Sequence, residues 1–462
     1  MNLFNFHTPK KSNIYNYLLV IVIFLSHDTF ATTFCNSSFG IQRFFNGQQT
    51  VTLNTVNGQI HATFELMPNE EGYQQFRFPA CVAPRLIVIT AKSSDKLPLL
   101  FRSQALSEQF SFTEEIETEL LFSTTDKKLW LIHFSESAIK HGLIPATFKN
   151  LINEKDIISV QPDMLISAQL AQQAQTSRKA PLINEYAPIL KSIWMNTKGN
   201  NIRVAVIDDG FNLHHRDLNG AKIAPQSDSA SSSGNLHGTK VAGLIFAQHN
   251  GLDINGIAPE ATFIPVPIAG SYTSSLLQTL NHVYQQKPDI INISWYLPWL
   301  MTPVKEAISF LAQDGRQNKG RAIFVASGNF DYSDSSRYSL AGMKEVMTIG
   351  AFHIRRKKPT RAQGKYIDIA APVGFMSLAT DEDHSQTIHT FIGSSAATPF
   401  ISGISALLLS YCPRLTREQL YQLLISGADT PPHHLKQHLG AGVINLNRVW
   451  NTLVKQCPQP DN

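Results

Sequence analysis

Between about residues 180 and 457 the chain repeats one pattern, a short and nearly unbroken apolar run followed by a stretch of helical periodicity. Ile202 to Ile207, Phe263 to Ile268, Ile290 to Ile293, Ala322 to Ala326 and Val346 to Ile349 are the runs. A strand with one wet face alternates apolar and polar residues, so unbroken runs of this length belong to strands covered on both faces. Such strands separated by helices make a parallel sheet with helices on either side, an α/β fold. Sheets of this kind gather ligands and reacting groups beyond the carboxyl ends of their strands. Asp208, Ser294 and Asn329 each stand at such an end.

Two more polar residues open helices. His237 precedes Gly238-Thr239-Lys240-Val241-Ala242-Gly243-Leu244-Ile245, whose small residues permit close packing. Ser395 opens a stretch in which Ile401, Ile404, Leu408 and Tyr411 recur at helical steps, with Pro399 expected in its first turn. Taken singly, each candidate has a plain structural account. A strand-end Asp stabilises a turn, a His at a helix start packs or caps, and a Ser there is usually a cap. Taken together they supply one chemistry. A serine hydroxyl is a poor nucleophile until an imidazole takes its proton, and the imidazole needs a carboxylate on its other nitrogen. The charge that develops on a tetrahedral intermediate then needs donors, which an amide side chain such as Asn329 and a helix amino end can supply. Asp209 adjoins Asp208; strand alternation sends the two carboxylates to opposite sides, and the catalytic role goes to Asp208 because it directly follows the apolar run.

At these residues the chain resembles the subtilisin-like serine proteases, the subtilase family. The motifs occur in order: Val204-Ala205-Val206-Ile207-Asp208-Asp209-Gly210, His215-Arg216-Asp217-Leu218, His237-Gly238-Thr239, Gly256-Ile257-Ala258-Pro259, Ser327-Gly328-Asn329 and Gly393-Ser394-Ser395-Ala396-Ala397-Thr398-Pro399. The resemblance implies a three-layer sandwich with a mostly parallel sheet, and a serine endopeptidase working through an acyl-enzyme. Asp208, His237 and Ser395 would be its triad and Asn329 its oxyanion donor. Ser294, Trp295 and Tyr296, with Ala326, Ser327 and Gly328, would line the substrate cleft. Ser394 and Ala396 stand where the family usually has Thr and Met. Ile293-Ser294-Trp295-Tyr296 departs from the family's Ser-Leu-Gly, so Trp295 and Tyr296 are expected to wall and narrow the cleft. The family often binds calcium, but no acidic cluster here has calcium-loop spacing, so no metal site is assigned and no cofactor is expected. His433, His434 and His438 follow Pro431-Pro432 and read as solvated side chains rather than metal ligands. A catalytically silent, protein-binding relative is the alternative. An α/β-hydrolase esterase is disfavoured because the order is Asp, His, Ser and no Gly-x-Ser-x-Gly elbow surrounds Ser395.

The rest of the chain divides into smaller parts. Lys10 and Lys11, the apolar stretch from Tyr17 to Leu25 and the small residues ending at Ala31 have the layout of a signal peptide over residues 1–31. The protein is therefore expected to be exported, secreted or periplasmic, with no stable membrane span after cleavage. Residues 32–100 read as a small β-rich module. Residues 101–167 follow a strand, helix, strand pattern just upstream of the protease-like part, and their end, Val160-Gln161-Pro162-Asp163, resembles the tail of the family's inhibitory propeptide. Residues 168–180 (with Ala168 to Arg178 polar and turn-free) suit a linker or processing site, and 181–457 the catalytic domain. Cys35 is expected to pair with Cys81 and Cys412 with Cys457, each within one domain. The net charge of +4 calls for no acidic partner, and Arg355-Arg356-Lys357-Lys358 reads as a solvated loop. The expected partners are protein or peptide substrates and the protein's own propeptide as inhibitor, not nucleic acid.

Overall fold

Four antiparallel strands come first: β1 (Arg43–Phe45), β2 (Gln49–Val56), β3 (Gln59–Leu66) and β4 (Gln75–Pro79), paired in that order. Asn57 and Gly58 alone separate β2 from β3, the dipeptide that suits a tight hairpin. The computed structural model describes residues 43–45, 49–56, 59–66, 75–79, 82–92, 97, 116–140, 143–151, 154–164, 186–225, 236–268, 270, 272–297, 300–329, 339–353, 356–360, 362, 364–380 and 386–458. The expected signal peptide, the linker at 168–180 and the Cys35 and Cys81 pairing lie outside them. Among the described residues no helix is long and apolar enough to cross a membrane.

A second antiparallel sheet is built from β5 (Val82–Ala91), β6 (Ile116–Ser123), β7 (Lys127–Phe134) and β8 (Ile157–Met164), in the order β6-β7-β5-β8. Helices α1 (Glu136–Lys140) and α2 (Leu143–Leu151) join β7 to β8. A boundary at residue 100 is thereby corrected. β5 was expected in the β-rich module, yet it pairs with both β7 and β8 at the centre of the second sheet. Its unbroken Leu86-Ile87-Val88-Ile89 explains the placement: Leu86 and Val88 join Ile132, Leu143 and Ile144 in one core, while Ile87 and Ile89 face the other way. A strand needing cover on both faces cannot sit at an exposed edge.

The principal sheet runs β10-β9-β11-β12-β13-β15-β19-β18. Its strands are β9 (Arg203–Asp208), β10 (Thr262–Pro267), β11 (Ile290–Ile293), β12 (Ala322–Ala326), β13 (Met347–His353), β15 (Ile369–Val373), β18 (Ala428–Asp429) and β19 (Val443–Ile444), with β14 (Lys358–Pro359) pairing to β13. All pairings from β10 to β19 are parallel; β18 and β14 are antiparallel additions. A hairpin of β16 (Phe375–Thr380) and β17 (Gln386–Phe391) lies apart. Each apolar run is split by parity between two buried layers. Val204, Val206, Phe263, Ala322 and Phe324 pack on one side with α3 (Ala187–Trp194), α4 (His237–Phe246), α7 (Ser394–Tyr411), α8 (Arg417–Ser426) and α10 (Leu446–Gln456). Ala205, Ile207, Ile264, Ile323 and Val325 pack on the other with α5 (Thr273–Gln285) and α6 (Thr302–Gln313). One short helix, α9 (Lys436–Leu439), precedes β19.

The second layer is shared between the two sheets. Ile87, Ile89, Leu121, Phe122, Leu129 and Leu131 belong to the same core as α5 and α6, with the Phe122 ring 6.1 Å from that of Tyr284 and 5.9 Å from that of Phe310. Polar contacts frame this seam. The Asp163 carboxylate accepts from the Ser274 backbone N–H at 2.9 Å and its hydroxyl at 2.7 Å, which caps α5, and pairs with Arg85 at 2.7 Å; Lys127 pairs with Glu306 at 2.6 Å.

Cys412 and Cys457 end α7 and α10 and are joined in a disulfide across a separation of 45 residues. The bond ties the carboxyl ends of two core helices at a Cα–Cα distance of 6.1 Å. Closing a loop of that length in the unfolded chain is worth on the order of 4 kcal/mol by chain entropy. Replacing both cysteines by serine should lower the denaturant midpoint accordingly, and an unchanged midpoint would contradict the assignment.

Candidate active site

β9 has β10 on one side and β11 on the other, so the chain leaves the middle of the sheet in both directions. The crevice beyond the ends of such neighbouring strands is where an open α/β sheet binds ligands. Asp208 closes β9 there and shares the parity of Val204 and Val206, which face the α4 and α7 layer. His237 is the first residue of α4 on that layer. Its Nδ1 lies 2.8 Å from Asp208 Oδ1, with His237 6% exposed and Asp208 wholly buried. A neutral imidazole held this way carries its proton on Nδ1 and leaves Nε2 as an acceptor. Nε2 is itself buried and has no hydrogen-bond partner among the described residues. Burial alone would lower the pKa of His237, but the charge and hydrogen bond of Asp208, with Asp209 adding, outweigh it and raise the imidazole above its ordinary value.

The start of α4 is fixed by the loop after β9. Leu236, the cap residue, makes no side-chain cap bond. The Asp209 carboxylate serves instead, accepting from the N–H of His237 at 3.1 Å and of Gly238 at 3.0 Å. Burial first, and the like charge of Asp208 second, push the Asp209 carboxyl up to about 6. Gly238 is required by contact: a Cβ there would stand 2.4 Å from the Gly210 carbonyl oxygen and 2.6 Å from a Phe211 ring carbon. Thr239 Oγ1 accepts from the Asn212 N–H at 2.8 Å, which joins the loop and the first turn of α4 again.

The start of α7 is fixed by Asn329. Gly393 holds φ at +80°, and a Cβ on it would lie 2.6 Å from Asn329 Oδ1. That oxygen accepts the Ser394 N–H at 2.8 Å, and the Ser394 hydroxyl donates to the Gly328 carbonyl at 3.0 Å. Because a backbone N–H must meet an oxygen, the Asn329 amide is oriented with its NH₂ turned away from Ser394. Ser395 follows, 2% exposed. Pro399 sits inside the helix beyond the first turn, unlike the expectation, so the Ser395 carbonyl lacks its usual donor four residues on. α7 packs on α4, and the Phe391 ring, four residues before Ser395, meets the His237 ring edge-on at 5.4 Å. Asp208 and His237 are thus in direct contact, Asn329 is bound to the helix start that carries Ser395, and α4 and α7, which bear the histidine and the serine, pack on each other.

The expected substrate-lining side chains do not face an open cleft. Trp295 is 2% and Tyr296 1% exposed, both within the core on the α5 and α6 side, and the Trp295 indole N–H donates to the Ile207 carbonyl at 2.9 Å. Trp295 therefore braces the end of β9. Ser294 is buried and accepts from the Asn292 amide at 2.8 Å, while Asn292 Oδ1 accepts the Ser402 hydroxyl on α7 at 2.9 Å. Ala326 and Ser327 are buried too, and Gly328 has φ +84°. At both segments the side chains are thus turned into the protein. Asp209, Gly393 and Ser394 lie within the quoted motifs but were assigned no role in the site, and Phe391, two residues before the last motif, was not singled out.

Among the described residues no three His, Cys, Asp or Glu side chains gather to hold a metal. Asp217 spends its carboxylate on the N–H groups of Asp253 and Ile254, and His438 Nδ1 lies 2.9 Å from the Ala362 carbonyl.

Residues 199–442 of the 462 match the model of the subtilase family. Subtilisin E of Bacillus subtilis (strain 168) is 30% identical over 273 residues, 56% of this chain and 68% of that protein. The major intracellular serine protease of the same organism is 31% identical over 232 residues, 46% of this chain and 70% of that one. Among solved structures, fervidolysin from Fervidobacterium pennivorans, a keratinolytic enzyme related to subtilisin, aligns with a TM-score of 0.61 at 19% identity, over 82% of this chain and 61% of its own. That last likeness is one of fold.

In a Ser395→Ala chain with ¹⁵N-labelled histidine, His237 should titrate above the ordinary imidazole value of about 6.5, and Asp208→Asn should bring it down. A midpoint below that value with Asp208 intact would refute the pairing.

Proposed function

Because the chain belongs to the subtilase family and is a serine-type endopeptidase, we propose that Asp208, His237 and Ser395 form its catalytic triad and Asn329 its oxyanion donor. The observation that carries this reading is the 2.8 Å contact between Asp208 and His237 Nδ1, which leaves Nε2 as the one ring atom able to take a proton. In the first step Ser395 Oγ bonds to the substrate carbonyl carbon while its proton passes to His237 Nε2. The carbonyl oxygen becomes an oxyanion, met by the Asn329 NH₂ and the Ser395 backbone N–H. The carbon–nitrogen bond then breaks, the amine leaves with the proton from Nε2, and an acyl group remains on Oγ. Water, deprotonated by the same nitrogen, then adds to the acyl carbon, and the carbon–Oγ bond breaks as Oγ takes the proton back from Nε2, which releases the acid and restores Ser395. Asp208 holds the ring in place and stabilises the imidazolium.

Substrate binding follows from what the two strand ends still offer. With Ser294, Trp295 and Tyr296 turned inward, an extended peptide would be held there by backbone hydrogen bonds, as it would along Ala326 to Gly328. Specificity would then depend on residues other than Trp295 and Tyr296.

The unit from β5 to β8 is read as an intramolecular inhibitor. Its support is the shared core over α5 and α6 and the Asp163 cap on Ser274, in the segment that leads through Met164 to the linker at 168–180. Processing would fall in that linker, after export directed by residues 1–31; residues 32–79 have no assigned role. Calcium enters no step.

Wild type and Ser395→Ala, expressed side by side, should differ. The wild type should be labelled by a fluorophosphonate and lose mass at its amino-terminal side, while the variant should stay unlabelled and unprocessed. Peptide hydrolysis persisting in Ser395→Ala would overturn the nucleophile assignment. Asn329→Ala should lower kcat by about 10²- to 10³-fold with little change in KM, the loss that removing one such oxyanion donor causes in a subtilisin.

A further inference from the structure

We propose that Asp209 is a positioning residue, whose carboxylate clamps the first turn of α4 onto the end of β9 and so holds the His237 imidazole against Asp208. The proposal rests on the triad reading above. Both Asp209 oxygens are engaged, Oδ2 by the His237 N–H and Oδ1 by the Gly238 N–H. The residue ordinarily placed to make these bonds, Leu236, has no side-chain acceptor. Asp208 meanwhile holds the same histidine by its ring, and Asp208 Oδ1 also accepts the Asp209 N–H at 2.9 Å. Two consecutive residues of one strand end therefore grip His237 at its backbone and at its ring. A shift of the helix that lengthened either contact would lengthen both.

The charge of Asp209 acts in the same direction. It lies within reach of the imidazole and adds to the attraction that favours the protonated ring. The groups facing this cluster are Asp208 on β9 and His237 and Lys240 on α4, Lys240 opposing the two carboxylates. α7 and β16, packed on α4, carry no charged side chain. In the turn at 216–218 Arg216 is paired with Asp253, and Asp217 with backbone N–H groups, while the His215 ring meets the Thr387 carbonyl. As pH falls through about 6, Asp209 takes a proton and one of its oxygens becomes a donor that can no longer accept a helix N–H. The acid limb of activity should then carry two protonations, the imidazole's and that of Asp209.

The test is steady-state kinetics across pH for wild type, Asp209→Asn and Asp209→Ala, with melting temperatures alongside. Asp209→Ala should lose about 10- to 100-fold in kcat with KM nearly unchanged. Asp209→Asn, which keeps one acceptor, should retain more activity and show a shallower acid limb moved to lower pH. A lowered melting temperature with wild-type kcat and an unmoved acid limb would reduce Asp209 to a structural cap and overturn the proposal. A rise in KM at constant kcat would do so too, by making it a substrate contact. Should the wild type fail to react with a fluorophosphonate, the triad reading falls by itself. The His237 titration in Ser395→Ala, with and without Asp209→Ala, still decides whether Asp209 holds the ring: removal should lower the midpoint, and an unmoved midpoint would refute the clamp.

Discussion

Two-sided burial of the principal sheet is the constraint from which the rest of this structure follows. Each central strand must give alternate residues to two cores, so β9 spends Val204 and Val206 on one layer and Ala205 and Ile207 on the other. On β9 the buried polar side chain enters where the strand stops. Asp208 does so on the parity that faces α4, and His237 arrives there because α4 is packed on the same layer. The polar pair is thus located by the apolar pattern before it, and in that buried place Asp208, with Asp209 adding, outweighs the cost of desolvating an imidazole.

Much of this was legible in the residues. The five apolar runs marked their strands to within a residue or a few at each end, because a doubly covered strand shows as a short apolar run bounded by turn residues and rich in branched side chains. Motifs drew attention to Asp208, His237, Ser395 and Asn329 because few residue types can do this chemistry. Pairing was less legible. The apolar run of β5 says that the strand is covered twice, not by which neighbours, so a boundary drawn on short strand-like runs and turn punctuation put it in the wrong sheet.

Orientation was harder still. Trp295 and Tyr296 sit next to a strand end, where alternation has lapsed, and nothing local says that an indole N–H will find the Ile207 carbonyl. Pro399 stood one turn further in than its motif implied. Asp209 illustrates the same limit from the other side. Alternation does separate it from Asp208, but both carboxylates end on one histidine, because the helix start lies between them and accepts one at the ring and one at the backbone.

The hydrogen bond from the Ser394 N–H to Asn329 Oδ1 has a thermodynamic side. A side-chain amide free to rotate would have to be turned as negative charge formed on a nearby oxygen, as water dipoles must be, and that reorganisation would be part of the barrier. Here the acceptor end of the amide is tied to a helix start, and the close approach this needs is open because residue 393 has no Cβ. In the proposed reaction the dipole would be aimed before the charge exists, its orientational entropy already lost when the chain folded.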